Sequence, residues 1–376
     1  MLTVNGRVRL CRVRWHESGA GSLTTIDHLL DEAERSISEG VREMACRLNR
    51  GATSFEQTAD NLSRAAHLSV SKETLRQLIE GEGRTVLKLQ QRGELAPDWT
   101  ATDCRTSNNK TRVYLGCDGV MVPLITDVEK QKRRTKTKEK RQRCGRRRRP
   151  LPPRKTGADQ SYKEFKLGIL YDEEHHRRFV GATSGDHTVA GRMLQRMATQ
   201  VGLAQAEEKI GIADGSPWIR NEIELYGLVN ALGLDYYHLR ENVQKARQVV
   251  YGEKPEGQHW REIVMGLFYE HGYDAAWEYL VTWRSTLRGG KRTAANQLLG
   301  YVAERRETIR YPEFRRQGWQ IGSGPTEAQC KAATQRLKGR GRRWDRTNAE
   351  ALMALDCLHN SHAWQLYWKN LEPSTN

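Results

Sequence analysis

Three carboxylates in this 376-residue chain stand next to or shortly after glycines, at points where the backbone is expected to change direction. Asp118 and Asp214 each follow a short apolar run and precede a glycine, and Glu327 follows the Gly-Ser-Gly-Pro-Thr sequence of residues 322–326. An apolar run ending in Asp-Gly predicts a strand whose last side chain projects at a sheet edge. Gly324 as N-cap, with Pro325 after it, predicts a helix that carries Glu327 in its first turn.

Three oxygen ligands that converge in this way would suit hard divalent cations. Mg²⁺ binds one or two carboxylates together with substrate phosphate oxygens, and a pair of such ions can hold the attacking and leaving oxygens of an in-line displacement. Each carboxylate also has a simpler interpretation, because Asp-Gly is a common turn dipeptide and an acid near a helix N-terminus favours the helix dipole. Taken singly, each residue is better explained by its simpler interpretation, and only the three carboxylates together favour a metal-binding catalytic site.

The elements that would position these residues alternate between strand and helix patterns. The strands are predicted at residues 113–125, 164–171, 177–183, 209–213 and 232–238, and the helices at 188–201 and 218–225. This order predicts an α/β fold. Residues 239–314 are rich in helix formers and aromatics, which indicates a helical domain inserted into that fold, and two closing helices follow at 326–338 and 347–359.

The region before the first acidic strand is predicted to be helical. Ser54 and Ser71 are candidate N-caps of two helices joined by a tight turn, which is the pattern of a helix-turn-helix. On a DNA-binding interpretation Lys72, Thr74, Arg76 and Gln77 would face the groove. A plain structural bundle explains the same pattern equally well.

Basic residues dominate the segment from Lys130 to Arg149, where thirteen of twenty residues are Lys or Arg. Such a density of like charge predicts a disordered or extended loop when it stands alone. It could be a solvated loop or a localisation-like patch. We favour an arm that follows DNA phosphates, because counterion release makes dense basic segments strong DNA ligands.

The overall composition agrees with a polyanionic partner. The formal net charge is +16 and the isoelectric point is near 9.6, so nucleic acid is the expected ligand. The seven cysteines are scattered singly, which predicts reduced thiols rather than a disulfide or zinc framework. No run approaches the roughly 18 apolar residues of a membrane span, so the expected location is the cytoplasm, in association with the nucleoid if the chain binds bacterial DNA.

Four segments in register resemble a known family. Together with the tail Arg336-Leu337-Lys338-Gly339, Gly341 and Arg343-Trp344, they are similar to bacterial insertion-sequence transposases of the ISKra type, which are DDE enzymes akin to the Mutator-like class. The segments are Leu115-Gly116-Cys117-Asp118-Gly119-Val120-Met121-Val122-Pro123, Ala213-Asp214-Gly215-Ser216-Pro217-Trp218-Ile219, Leu234-Asp235-Tyr236-Tyr237-His238 and Gly322-Ser323-Gly324-Pro325-Thr326-Glu327. The resemblance covers residues 113 to about 368.

The resemblance implies an RNase H-like mixed sheet interrupted by an all-helical insertion. Asp118 would lie on the first strand, Asp214 on the fourth and Glu327 on the helix after the insertion, and together they would bind two Mg²⁺ or Mn²⁺ ions. Asp235 and His238 match the family's Asp-x-x-His signature and are expected near the active site. The implied activity is cleavage at transposon ends followed by transfer of the 3′-hydroxyl into target DNA.

The expected partner is therefore double-stranded DNA, bound by a homodimer or higher oligomer. A solvated helical face is the alternative interpretation for the basic residues that follow Glu327. The expected DNA contacts are Lys72, Arg76, Arg133, Arg134, Arg146, Arg147, Arg148, Arg149, Lys331, Arg336, Lys338 and Arg343, with Arg340 and Arg342 as further candidates.

The predicted organisation has five parts. They are a basic β-like segment (1–24), a helix-turn-helix-like domain (25–98), the first part of the catalytic core (110–238, with a basic loop at 130–155), a helical insertion (239–318) and closing core helices (319–372).

Two features depart from the family pattern. The arginine-rich block is longer and more basic than the family leads us to expect, and the N-terminal region lacks the cysteine pairs of some relatives. Two other functions stay open at this stage: a catalytically silent, domesticated transposase that regulates by binding DNA, and an RNase H-like nuclease that cuts without joining.

Overall fold

A computed structural model describes residues 1–9, 13, 15–19, 21–23, 37–144 and 150–369. Its strands are β1 (Leu2–Thr3), β2 (Gly6–Arg7), β3 (Trp15–Glu17), β4 (Gly21–Leu23), β5 (Arg112–Pro123), β6 (Tyr162–Tyr171), β7 (Arg178–Thr183), β8 (Glu208–Ala213) and β9 (Ala231–Leu234). The first four form two small antiparallel hairpins near the N-terminus, and the other five form one sheet.

The helices occupy most of the remaining described chain. They are α1 (Glu39–Gly51), α2 (Phe55–Ala66), α3 (Lys72–Arg92), α4 (Asp127–Arg143), α5 (His187–Gln200), α6 (Pro217–Leu225), α7 (Tyr236–Tyr251), α8 (Pro255–Glu270), α9 (Tyr273–Ser285), α10 (Gly289–Glu304), α11 (Tyr311–Arg316), α12 (Gly324–Thr334), α13 (Arg346–Asn360) and α14 (Trp364–Lys369). The predicted α/β class is confirmed.

The central strand β5 organises the sheet, whose order is β7-β6-β5-β8-β9. It pairs antiparallel with β6 over residues 114–123 and parallel with β8 over residues 112–117. Its first six residues are buried, as expected for a strand with neighbours on both sides and helices on both faces. The strand continues through Asp118-Gly119 to Pro123, close to the predicted range 113–125, because β6 supplies a partner beyond the point where β8 stops. Asp118 therefore lies within the strand and not at its end.

Helices α1 to α3 begin at serine side chains, as the sequence predicts for α2 and α3. The hydroxyl oxygens of Ser38, Ser54 and Ser71 accept hydrogen bonds from the backbone N–H three residues on, which satisfies an otherwise unpaired donor at each helix start. The three helices share one hydrophobic core with the sheet and with α13. The predicted division of the chain at residue 98 stays a prediction.

The closest approach between α3 and α13 occurs at Gly83. A Cβ atom built there would lie 2.4 Å from the backbone oxygen of Ala351, whereas one built at Gly81 meets only the end of the Arg84 side chain at 3.8 Å. We expect Gly83→Ala to lower the free energy of unfolding by about 1–3 kcal/mol, because backbone must move. Gly81→Ala should instead raise it by up to about 1 kcal/mol through helix propensity. Urea unfolding of the two variants measures the contrast; equal effects would contradict the packing described.

The region between β9 and α12 consists of α7 to α11 with a third, separate hydrophobic core. The N-cap of α7 is Asp235, so residues 236–238 are helical and the predicted strand at 232–238 stops at Leu234. His238 therefore lies in the first turn of a helix and does not end a strand.

The basic segment is also different from its prediction. Residues 127–143 form α4, and the predicted loop is wrong there. The Thr126 hydroxyl caps the helix, Asp127 and Glu129 occupy its first turn, and Lys140, Arg141 and Arg143 its last. This distribution complements the helix dipole, and it stabilises a sequence whose charge alone opposes folding. Residues 145–149 lie outside the described residues.

Other described features agree with the composition. The six described cysteines are free thiols, five of them buried. Among the described residues, no helix is both long and apolar enough to span a membrane.

Candidate active site

Asp118 lies on β5, and Asp214 directly follows the end of the adjacent parallel strand β8. The last parallel pair joins Cys117 of β5 to Ala213 of β8, so each aspartate is the next residue along the chain. Burial raises the pKa of Asp118, and the Asp214 carboxylate raises it further, against the lowering effect of the Gly119 N–H that donates to Asp118 Oδ1 at 2.6 Å. The two predicted strand carboxylates are therefore brought together.

The turn that follows β8 fixes Asp214. Ser216 donates its backbone N–H to Oδ1 (2.8 Å) and its hydroxyl to Oδ2 (2.7 Å). Gly215 has a φ of 83°, which a side chain would strain, and Arg305 Nη2 donates to its carbonyl oxygen at 2.9 Å. The helical region thus holds this turn from outside the sheet.

Helix α12 packs on β5 and carries Glu327 in its first turn. Its residue Thr326 lies directly on Gly116, where a Cβ atom would be only 1.9 Å from the Thr326 hydroxyl oxygen. One turn later the Cys330 thiol hydrogen-bonds the Asp118 carboxylate; burial, with Asp118 in addition, raises the pKa of this thiol, which keeps it protonated as a donor. Glu327 is exposed and lies between these two contacts in sequence. The predicted helix start is confirmed, with Ser323 as N-cap in place of Gly324.

Asp235 joins the starts of α7 and α12. It is fully buried; its Oδ1 accepts the backbone N–H of His238 at 2.8 Å and its Oδ2 accepts that of Ser323. The N–H of Tyr236 also donates to the carbonyl of Ile321 at 2.9 Å. These bonds fix the turn that delivers Glu327, so Asp235 positions another carboxylate through the backbone.

A compact set of ligand atoms results from this arrangement. Asp235, His238 and Glu327 each have one oxygen or nitrogen atom within 4.8 Å of the others, and within the described chain this is the set that meets that distance for three groups. Asp118 and Asp214 are not members of it. Of the predicted triad, the structure pairs Asp118 with Asp214 and groups Glu327 with Asp235 and His238.

The carboxylates of the candidate site lack cationic side-chain partners in the described chain. Among the described residues, no lysine or arginine forms an ion pair with Asp118, Asp214, Asp235 or Glu327. Carboxylates held close together without a cationic partner repel one another, as the raised pKa of Asp118 indicates. A bound cation would relieve this repulsion, and the all-oxygen donors of Asp118, Asp214 and Glu327 suit Mg²⁺ or Mn²⁺.

The predicted DNA contacts in α3 are already paired with carboxylates. Lys72 lies 3.3 Å from Glu56, and Arg76 contacts both Glu73 (2.6 Å) and Glu80 (2.7 Å). The hydrogen bond from Arg76 lowers the pKa of Glu73 to about 2, so that acid remains ionised beside it. Acids at the start of α3 would oppose an approaching phosphate, which disfavours α3 as a groove-binding helix.

Arg336 is a structural residue, which corrects its assignment as a DNA contact. It is 3% exposed, its guanidinium lies over the rings of Phe55 and Trp344, and it donates to the Thr53 carbonyl at 3.2 Å. Burial lowers its pKa to about 10. It therefore holds α2 to the segment after α12.

The remaining predicted contacts lie on the surface. Lys331 and Lys338 are exposed on and after α12. Arg343 and Arg133 both approach Glu129, at 3.3 and 2.5 Å, and Arg134 donates to the Pro152 carbonyl at 2.7 Å. The expected contacts Arg146, Arg147, Arg148 and Arg149 lie outside the described residues.

Three supporting residues escaped sequence reasoning. Arg112 is buried and joins Glu208 (2.6 Å) and Glu173 (2.6 Å) to the Gly318 carbonyl (3.0 Å), which connects β5 to the end of the helical region. Arg305 donates to the Gly215 carbonyl beside Asp214, and Cys330 hydrogen-bonds the Asp118 carboxylate. The spacing of Thr326 and Cys330, four residues apart on one helical face, is a local signal for Cys330; the two arginines have none, because their partners are distant in sequence.

Comparison with known proteins gives no sequence match and a distant structural similarity. No protein-family profile matches the chain, and no curated protein matches it. Among solved structures, the chain is similar to one described as the Drosophila P element transposase strand transfer complex, with a TM-score of 0.32 and 8% sequence identity over 90% of this chain and 82% of the other.

Proposed function

We propose that this chain is a DNA transposase of the DDE class, with an RNase H-like core and kinship to the ISKra-type insertion-sequence enzymes. One observation carries the proposal: Asp118 lies on the central strand β5, Asp214 directly follows the adjacent parallel strand β8, and α12, which bears Glu327, packs on β5. If the five strands of this sheet are counted along the chain from β5, their order across the sheet is 3-2-1-4-5, and strand 2 (β6) is antiparallel to strand 1 (β5).

Asp118, Asp214 and Glu327 would hold two Mg²⁺ or Mn²⁺ ions, which when bound supply Lewis-acid activation and neutralise charge on the phosphate. The donors fit this role because they are carboxylate oxygens without a cationic side-chain partner in the described chain. Asp214 is oriented by Ser216, and Asp118 by Gly119 and Cys330.

The other residues of the site position these ligands. Asp235 fixes the backbone before Glu327, and Arg305 fixes the turn after Asp214. His238 lies beside Glu327, with a partly exposed imidazole that a DNA phosphate can reach. In-line geometry then accounts for most of the acceleration, so few further catalytic side chains are needed.

Double-stranded DNA is the proposed substrate and partner, and a dimer would hold two transposon ends at once. We expect the purified chain to cleave duplexes that carry the inverted repeats flanking its reading frame, in Mg²⁺ or Mn²⁺ and not in EDTA. Mapped 3′-hydroxyl products at the repeat boundary would support the proposal. No cleavage of these ends with either metal, by protein that binds them, would contradict it and favour a DNA-binding regulator.

A further inference from the structure

Helix α4 is an unusual element because none of its residues is buried. Nine of its seventeen residues are Lys or Arg, against three acids, and its apolar content is limited to Val128. A helix without an apolar face gains nothing from packing on a core or on a membrane surface. Its stability must come from its first turn and from charges supplied by something else.

The N-terminal half of α4 is attached firmly to the fold. Lys130 pairs with Asp345, Glu129 with Arg343 (3.3 Å), and Arg154 with Asp127 (2.8 Å). The residues that link α4 to β5 are also held, since Ile125 N–H donates to the Trp344 carbonyl at 2.9 Å. The helix therefore projects from a rigid base.

A stripe of four cations runs along the exposed part of the helix. Lys132, Lys136, Lys140 and Arg143 are spaced four, four and three residues apart, so they fall within about 80° around the helix axis and span roughly 16 Å along it. Within the described chain these four side chains form no ion pair. Like charges at this spacing destabilise a helix by about 0.2–0.5 kcal/mol per pair, and a row of anions would remove that penalty.

Resting on the proposed function, we propose that the Lys132–Lys136–Lys140–Arg143 stripe docks on the phosphate backbone of duplex DNA next to the cleavage site. Duplex DNA presents one phosphate about every 3.4 Å of helix axis along each strand, so a stripe roughly 16 Å long can contact several consecutive phosphates. Three of the four side chains are lysines, which act as point charges, and contacts to phosphate oxygens carry no base information, so the contact is independent of base sequence.

The distance between Asp118 and α4 indicates how DNA bound to the stripe would lie relative to the candidate active site. Asp118 and the end of β5 are five residues apart, or about 17 Å along the strand. Since α4 follows that strand through a held connection, DNA bound to the stripe is fixed relative to Asp118. The stripe would hold the flank of the duplex while the reacting phosphate lies at the carboxylates.

The test is the salt dependence of duplex binding, measured in EDTA so that cleavage plays no part. We expect the quadruple variant Lys132→Gln, Lys136→Gln, Lys140→Gln, Arg143→Gln to reduce the slope of log K against log salt by about 3 to 4, since each phosphate contact contributes about 0.9. Affinity at 0.1 M salt should fall at least about tenfold, equally for end-sequence and unrelated duplexes. Glutamine has a similar helix propensity, α4 buries nothing, and the lost repulsion offsets the lost interaction of Lys140 and Arg143 with the helix dipole, so the melting temperature should change little.

The matched control removes the same charge elsewhere, with Lys245→Gln, Lys254→Gln, Lys291→Gln and Arg292→Gln on the helical region. A slope change below about 1 is expected for it, since these side chains would contact no phosphate. Equal slopes in the two quadruple variants, an unchanged slope in the α4 variant, or preferential loss of single-strand binding would each overturn the inference. A wild-type chain that shows the α4-dependent slope but never cleaves would uphold this inference and refute the proposed catalytic function.

Discussion

Replacement of Asp118 with asparagine is expected to abolish metal-dependent DNA cleavage without weakening the fold. The loss should be at least about a thousandfold, equivalent to about 4 kcal/mol in the barrier, because an amide cannot supply the anionic oxygen that a divalent cation needs. Gel analysis of cleavage at saturating DNA measures the rate. The exposed Asp98, changed in the same way, serves as the control and should leave the rate unchanged.

The effect of this variant on stability has the opposite sign. Burial and the Asp214 charge raise the pKa of Asp118 in the folded chain. An acid whose folded pKa is raised contributes stability at low pH that is lost as the pH rises through that pKa, so the ionised carboxylate is a penalty at neutral pH. The neutral amide of Asp118→Asn removes the penalty, and the melting temperature at pH 7 should equal or exceed that of the wild type. A large decrease in melting temperature would mean that Asp118 is mainly structural.

The second large effect is expected at Asp235. Asp235→Ala leaves two backbone N–H groups without acceptors, the buried one of Ser323 and the partly buried one of His238. Each costs about 1–3 kcal/mol, so we expect the free energy of unfolding to fall by roughly 3 kcal/mol. Cleavage should fall at least about tenfold in protein that is still folded, because the turn that carries Glu327 is released.

Asp186 provides a matched control for that experiment. It also caps a helix, accepting from Val189 N–H at 3.0 Å, but it is exposed and distant in sequence from the candidate site. Asp186→Ala should cost about 1 kcal/mol and leave cleavage unaffected. If the two alanine variants lost the same stability and the same activity, Asp235 would be an ordinary helix cap.

Local sequence signals predicted the helix start that carries Glu327, the strand end before Asp214, and the caps Ser54 and Ser71. Each depends on residues within three or four positions, such as proline in the first turn of a helix or a hydroxyl that accepts a nearby N–H. These features form wherever the chain goes next, so a single sequence is enough to predict them.

The errors arose where a distant partner decides the outcome. Asp118-Gly119 has the pattern of a turn, but β6 pairs with both residues and extends the strand. Arg336 stands in a basic run that is typical of phosphate ligands. In the fold its guanidinium is enclosed by the rings of Phe55 and Trp344 and by the Thr53 carbonyl. Basic residues 130–143 have the composition of a loop, but a threonine cap and ion pairs to residues 343 and 345 start a helix there.

The most direct test of the central claim is strand transfer from a pre-cut transposon end. A duplex with the 3′-hydroxyl already exposed is incubated with a labelled target plasmid and Mn²⁺, and joined product is measured for the wild type and for Asp214→Asn. We predict joined product from the wild type and none from Asp214→Asn, although both bind the duplex equally well in EDTA. Joined product from Asp214→Asn at the wild-type rate would contradict the claim, because phosphoryl transfer would then proceed without the Asp118–Asp214 pair.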